Sequence, residues 1–216
     1  MQRHYHSIDD MPRTLGLFPL TGVLLLPRGH LPLNVFEPRY LALVESALSG
    51  SRLIGMIQPT ENEEKTLKPA LSAIGCAGRV TSYRETEDGR YLITLTGICR
   101  FRVIEELDTP ASFRAVKPDF GPFAGDLAER DDVDFPRERL MAALDEYLTR
   151  RELKADWKSV MNAPAETLVN ALAMLCPFEP NEKQALLEAP QWTDRVSTLL
   201  ALLEMAVPPT GSSTVN

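Results

Sequence analysis

The apolar pattern changes character part-way along the chain. Up to about residue 120, short apolar runs alternate with breakers; from about residue 135, apolar positions recur at helical spacing. "TLGLFPL" (14–20), "GVLLLPRG" (22–29) and "RLIGMIQP" (52–59) are runs of strand length cut by Pro19, Gly22, Pro27, Gly29 and Pro59. Prolines of this kind sit at strand ends or edges. "ENEEKTLKP" (61–69) has no apolar stripe and is expected to be a solvated loop. Residues 73–106 carry the clearest β signal, two long strands joined around Asp88-Gly89, a favoured hairpin dipeptide. In the second strand Tyr91, Ile93, Leu95, Cys99, Phe101 and Val103 share one parity, while Thr94, Thr96, Arg100 and Arg102 fall on the opposite face. Gly97 takes an apolar-face position without a side chain, as at a bend or a close contact. "SFRAVKPDF" (112–120) supplies a further strand before "GPFAGD" breaks the chain.

"LPLNVFEPRY" (31–40) reads as a strand handing over to a helix. Leu31, Leu33 and Val35 alternate, and Pro38 can open a helix but not sit within one. Tyr40, Leu41, Val44 and Leu48 then repeat at helical spacing, with Glu37 near the positive helix start and Arg39 able to meet solvent or an acid. In the second half, Pro136 fits a helix start after Asp131, Asp132 and Asp134, with Leu140, Met141, Leu144, Tyr147 and Leu148 inward. "NAP" (162–164) can begin a second helix that turns Leu168, Leu172 and Leu175 to the core and stops at Pro177. "EPNEKQALLEA" makes a short third. A fourth is expected with Thr193 as its cap and Val196, Leu199, Leu200 and Leu203 as its buried stripe. Trp157 and Trp192 flank helical segments and are expected to be half-buried. The tail "VPPTGSSTVN" (207–216) has the composition of a disordered segment, and residues 1–13 are expected to be flexible.

Charge sharpens the division. Residues 1–120 hold 14 Lys/Arg and 14 Asp/Glu, a balance of zero, whereas 121–216 hold 9 and 16, so the whole net charge of −7 lies in the second half. A surface of that sign repels phosphate backbones. No run approaches the 18 or so apolar residues a membrane span needs. The start has no apolar signal core, and three separated cysteines (Cys76, Cys99, Cys176) make neither a disulfide framework nor a zinc pattern. A reducing, cytoplasmic setting is therefore expected.

Catalytic groupings do not assemble in the sequence. The three histidines are His4, His6 and His30, two of them at the amino terminus, and there is no GxSxG nucleophile elbow and no P-loop. "HYH" offers two metal ligands but no evident third. Cys76 and Cys99 fall on apolar strand faces as core residues, and Cys176 at a helix end as a packing residue. The residue chemistry points to a binding module with no metal and no cofactor.

The order of these segments resembles the amino-terminal, substrate-binding domain of Lon proteases. "LFPLTGVLLLPRGHLPLNVFEPRYLALVESAL" has its apolar "PL" strand, turn, "LPL" strand and aromatic helix entry; "AIGCAGRVTSY…DGRYLITLTGICRFRV" has its "IG" strand and Gly-x-x-Arg element (Gly97 to Arg100). "EKQALLEAPQWTDRVSTLLALLE" is similar to the end of that domain, and the likeness spans about residues 14–206. The P-loop ATPase and serine–lysine protease of a full Lon enzyme have no counterpart here. The resemblance implies an α+β fold. An N-terminal PUA-like β pseudo-barrel with one or two short helices (14–122) would precede a C-terminal all-α helical bundle (123–206). It implies a stand-alone, non-enzymatic polypeptide-binding protein, an adaptor in protein quality control, with protein partners and no membrane.

The site expected for such a peptide is a groove rimmed by Phe18, Pro27, Phe36, Arg39 and Tyr40, or else β-augmentation along an exposed edge of "GVLLLP". PUA-like barrels elsewhere bind RNA. Arg79, Arg84, Arg90, Arg100 and Arg102 near the hairpin would supply the basic patch for that alternative, against the acidic second half. A small-ligand site between barrel and bundle, marked by a buried Arg–Glu pair of Glu37 with Arg39, Arg100 or Arg102, is the third possibility.

Overall fold

A computed structural model describes residues 5–60, 68–128 and 135–205. Its strands are β1 (Leu15–Pro19), β2 (His30–Val35), β3 (Leu53–Ile57), β4 (Ile74–Glu85), β5 (Tyr91–Leu107) and β6 (Ala115–Asp119). Its α-helices are α1 (Pro38–Ser49), α2 (Arg137–Arg150), α3 (Trp157–Asn162), α4 (Ala165–Leu175), α5 (Pro180–Glu188) and α6 (Trp192–Met205), with 3-10 turns at Ile8–Asp10 and Gly121–Leu127. The expected loop at 61–67, the acids Asp131, Asp132 and Asp134, His4 and the tail lie outside the described residues.

The six strands form one mixed sheet in the order β2-β5-β4-β3-β1-β6. All neighbours are antiparallel except β1 and β3, which run parallel from Leu17↔Gly55 to Pro19↔Ile57. β6 also pairs with β5, from Arg102↔Asp119 to Leu107↔Ala115, so the order returns to its own centre. Register shifts at Ala77/Gly78 and Val80/Ser82 in the β4–β5 ladder bend these strands, as bulges do. At Gly97 a side chain is impossible, because a Cβ would overlap the Leu26 carbonyl. The Gly97 amide donates to Gly29 O at 2.9 Å and its carbonyl accepts from Arg28 N at 2.8 Å.

The helices begin where the sequence chemistry allows. Pro38 stands in the first turn of α1, and Pro180 in that of α5, where a capping box joins Glu179 to Glu182. Tyr40, Leu43, Val44 and Ala47 of α1 are buried. α6 packs against α2, α4 and α5, burying Val196, Leu199, Leu200 and Leu203. The main apolar cluster joins Leu24, Leu25, Leu26, Ile54 and Leu95 to Leu140, Leu144, Leu168, Leu186 and Leu199, so strands and helices share one core. A second cluster fills the far side of the sheet around Leu15, Leu17, Cys99, Phe101 and Phe120.

Several expectations need correction. Val23–Leu26 forms no strand; Leu24, Leu25 and Leu26 are buried, so no free edge exists there for an incoming peptide strand. Arg100 lies inside: the register shift between Gly97 and Cys99 puts it on the face of Leu95 rather than with Thr94 and Thr96, and α5 and the 3-10 turn at Gly121–Leu127 cover it. α6 starts at Trp192, before Thr193, and the Asp194 carboxylate accepts the Gln191 amide at 3.0 Å instead. Trp192 is buried, not half-buried, with its ring edge-on to Phe135. Leu175 is 81% exposed, and the short helix α3 was not expected at all. Near the amino terminus, Met11 is buried and the Tyr5 hydroxyl donates to Ser51 O at 2.8 Å.

Candidate functional site

An open apolar concavity lies in the helical half. It is a groove of about 500 Å³ between α2, the connection that follows it, α3 and α4. α2 contributes Leu144 and Leu148, the connection Leu153 and Ala155, and α3 Val160. The opposite wall is α4, whose Leu168, Leu172 and Leu175 share one face as their spacing predicts. The first two are covered; Leu175, in the last turn before Cys176 and Pro177, has nothing packed over it. That volume is in the range of sites that hold a ligand.

Local chemistry holds the groove open. The Asp156 carboxylate caps α3, accepting the amides of Lys158 (3.1 Å) and Ser159 (3.4 Å) and the Ser159 hydroxyl (2.6 Å); these bonds, the hydroxyl's first, lower its pKa. At the other end Arg137 donates to the carbonyls of Val160, Met161 and Ala163, at 3.2, 2.8 and 2.9 Å, binding the end of α3 to the start of α2. Burial pushes the Cys176 thiol up to about 11, so beside the groove it is a packing group rather than a nucleophile.

Of the five residues expected to rim a peptide groove, Arg39 and Tyr40 border a common hollow, Phe18 and Pro27 are buried and Phe36 is exposed. Phe18 is buried and stacks on Tyr40 (centroids 4.0 Å apart), whose ring also carries the Arg39 guanidinium at 4.5 Å. Arg39 pairs with Glu37 at 2.9 Å, on the surface. Arg39 and Tyr40 border a second hollow of about 240 Å³ with Glu106 and Arg114. Phe36 is exposed, with the Arg90 guanidinium of the hairpin 5.8 Å from its ring centroid. Pro27 lies under α4, its carbonyl accepting from Asn170 Nδ2 at 3.0 Å.

The arginines proposed as an RNA patch are likewise dispersed. Arg102 stands opposite Ile74 and Arg84 opposite Leu92, the two ends of the β4–β5 ladder and about 30 Å of strand apart. Arg90 pairs with Asp88, and Arg100 is buried.

Around Arg100 the junction of strands and helices is packed and polar. Arg100 grips Asp126 with Nε (2.8 Å) and Nη2 (3.0 Å), stacks on Phe123 (4.6 Å) and donates through Nη1 to Leu187 O and Ala189 O at 3.0 and 2.6 Å. The nearby Cys76 and Cys99 thiols are pushed up by burial, Cys99 to about 12. Arg195, also buried, donates to Leu186 O at 3.0 Å and Asn170 Oδ1 at 3.3 Å, and desolvation pulls its pKa down to about 10. Arg28, in a left-handed backbone conformation (φ 64°), pairs with Glu166 of α4 and donates to Asp126 O at 2.7 Å.

The family model for the ATP-dependent protease La (LON) substrate-binding domain matches residues 14–205. The chain belongs to that family. Among the Lon proteases it is similar to, that of Dictyoglomus thermophilum is 32% identical over 53% of this chain and 14% of its own length. Lon protease 2 of Thermus thermophilus is 23% identical over 90% of this chain and 24% of its own length. The chain thus spans under a quarter of the Lon proteases it matches. A Lon N-terminal domain protein from Xanthomonas campestris shares the fold with a TM-score of 0.60 and 24% identity, over 87% of this chain and 97% of that one. The N-terminal domain of a Mycobacterium avium complex Lon protease does so with 0.58 and 14%, over 92% and 100%. Within this Lon substrate-binding domain, the groove lies wholly in the part that follows the last strand. No sequence motif marked it; the one available signal was a leucine face continuing to the last residue of α4.

Proposed function

We propose that the protein is a non-enzymatic polypeptide-binding module that holds apolar segments in the α2–α3–α4 groove. The carrying observation is that groove, an apolar trough with a leucine standing almost bare at its edge, on a chain of the Lon substrate-binding family. In the same reading, 14–122 is a PUA-like pseudo-barrel in which β5 backs three partner strands, and 123–206 is a helical bundle that carries the site. The barrel then serves as a rigid base, tied to the helices through Arg100 and Arg28. Such a protein acts as an adaptor in protein quality control in the cytoplasm and needs no cofactor. The hollow beside Arg39 and Tyr40 is secondary, since an ion pair and a stacked ring fill its walls.

The test is binding of a fluorescent, permanently unfolded polypeptide to the native protein and to Leu175→Asp. Loss of one leucine contact is worth about 1.5–3 kcal/mol, so the variant should bind about 10- to 100-fold more weakly with its melting temperature unchanged. Equal binding by both proteins, or no binding by the native one, would overturn the reading.

A further inference from the structure

The charge around the groove differs from that of the half that contains it. Residues 121–216 carry nine basic and sixteen acidic side chains, yet four of the nine fall within 150–158 (Arg150, Arg151, Lys154, Lys158) beside two acids, Glu152 and Asp156. The acids near the groove are largely engaged. Glu146 pairs with Arg150 at 2.8 Å, Glu166 with Arg28, and the Asp156 carboxylate is taken up in capping α3. Lys154, which lines the groove, makes no ion pair or hydrogen bond with the described residues.

The walls also restrict the backbone of an occupant. They are mostly helices whose amides and carbonyls are already bonded within the helices; the carbonyls at the end of α3 are taken by Arg137, and in the non-helical connection Leu153 N is bonded to Leu148 O. An extended peptide would bring unpaired N–H and C=O groups into an apolar trough and find no strand edge to bond. A helix satisfies its own backbone and can present apolar residues at i, i+3, i+4 and i+7.

We infer that the groove takes an amphipathic helical segment with acidic residues flanking its apolar stripe, at least one of them meeting Lys154. This rests on the polypeptide-binding reading and narrows it to one class of segment. The acidic flank selects among apolar helices, because an exposed ion pair adds little affinity but a like charge at the same place subtracts it.

Three 18-residue peptides sharing one leucine stripe, with Glu, Gln or Lys at the flanking positions, would be titrated against the native protein and Lys154→Glu by fluorescence anisotropy. A fourth, of the Glu composition but broken by two prolines, tests the helix. The expected order is Glu over Gln over Lys, by about 2- to 5-fold per step. That order should flatten at high salt and reverse in Lys154→Glu, and the proline peptide should bind at least about 10-fold more weakly. Equal affinity for the Glu and Lys peptides, an unchanged order in Lys154→Glu, or full binding of the proline peptide overturns the inference and leaves the groove as a general apolar site. If none of the four peptides binds the native protein, the polypeptide-binding reading itself fails at this groove.

Discussion

Arg100 and Asp126 meet as a two-pronged ion pair, at 2.8 and 3.0 Å, with each side chain 4% exposed. Two further carbonyls, of Leu187 and Ala189, complete the arginine's bonding, so one side chain joins β5, the 3-10 turn and the end of α5. Removing one partner of such a pair strands the other charge. Arg100→Met should therefore cost about 3–5 kcal/mol in denaturant unfolding, and Asp126→Leu a similar amount. The double variant should recover a large part of the loss. A double variant as weak as the sum of the two singles would mean that the two side chains act independently, and that neither their attraction nor an orphaned charge holds the junction.

Two glycines of one hairpin make a controlled comparison. Gly89 has φ 77° and open space around its missing Cβ, so Gly89→Ala should cost only about 1–2 kcal/mol, the strain of a left-handed L-residue. Gly97 has no such space, since a Cβ would enter the Leu26 carbonyl. Gly97→Ala should lose more than about 3 kcal/mol or fail to accumulate as soluble protein. Thermal melting of the two variants side by side is the check.

Glu106 gives the protein an acid limit. Its pKa is lowered by the two hydrogen bonds from Arg114, at 2.9 and 2.8 Å, and by Lys68 at 3.0 Å. A carboxylate whose folded pKa is depressed contributes stability that is fully present above its unfolded value, near 4.5, and fades as pH falls through the lowered folded value. Stability should therefore drop below about pH 4.5, and Glu106→Gln should flatten that part of the curve while leaving the slope between pH 6 and 8 unchanged. Urea titrations at a series of pH values measure it.

The thiols should resist modification. Cys76, Cys99 and Cys176 are buried and all three pKa values are raised, Cys176 to about 11. At pH 8 a thiol reagent should label none of them faster than the chain opens, and labelling should track denaturant rather than pH. Rapid labelling of one cysteine in native buffer would contradict this.

The strand half was largely legible in the sequence because alternation and turn chemistry are local. Asp88-Gly89 marks the hairpin, and the bare position at Gly97 marks a close contact. Arg100 was not legible: parity places it with Thr94 and Thr96, but the extra residue between Gly97 and Cys99 reverses the facing, and a helix from about 80 residues later covers it. Leu175 shows the same limit in reverse. Its spacing gave the correct face, and only the departure of the chain at Pro177 leaves that face bare. Val23–Leu26 has strand composition, but Pro27 and the approach to Gly97 turn it into a buried extended segment without a ladder. The decapeptide at 31–40 is the junction its pattern suggests, β2 into α1, with its aromatic residues divided between core and surface.

The pairing of β1 with β6 sets a schedule for synthesis. Leu15 aligns with Val116, about a hundred residues later, while β1's other neighbour, β3, arrives after about forty. At about 5–20 residues per second the first strand spends roughly 5–20 s outside the ribosome with one side unmatched. During that interval its leucines and Phe18 are open to any chaperone or to a neighbouring nascent chain. The protein is thus, while being made, itself in need of protection for its apolar stretches.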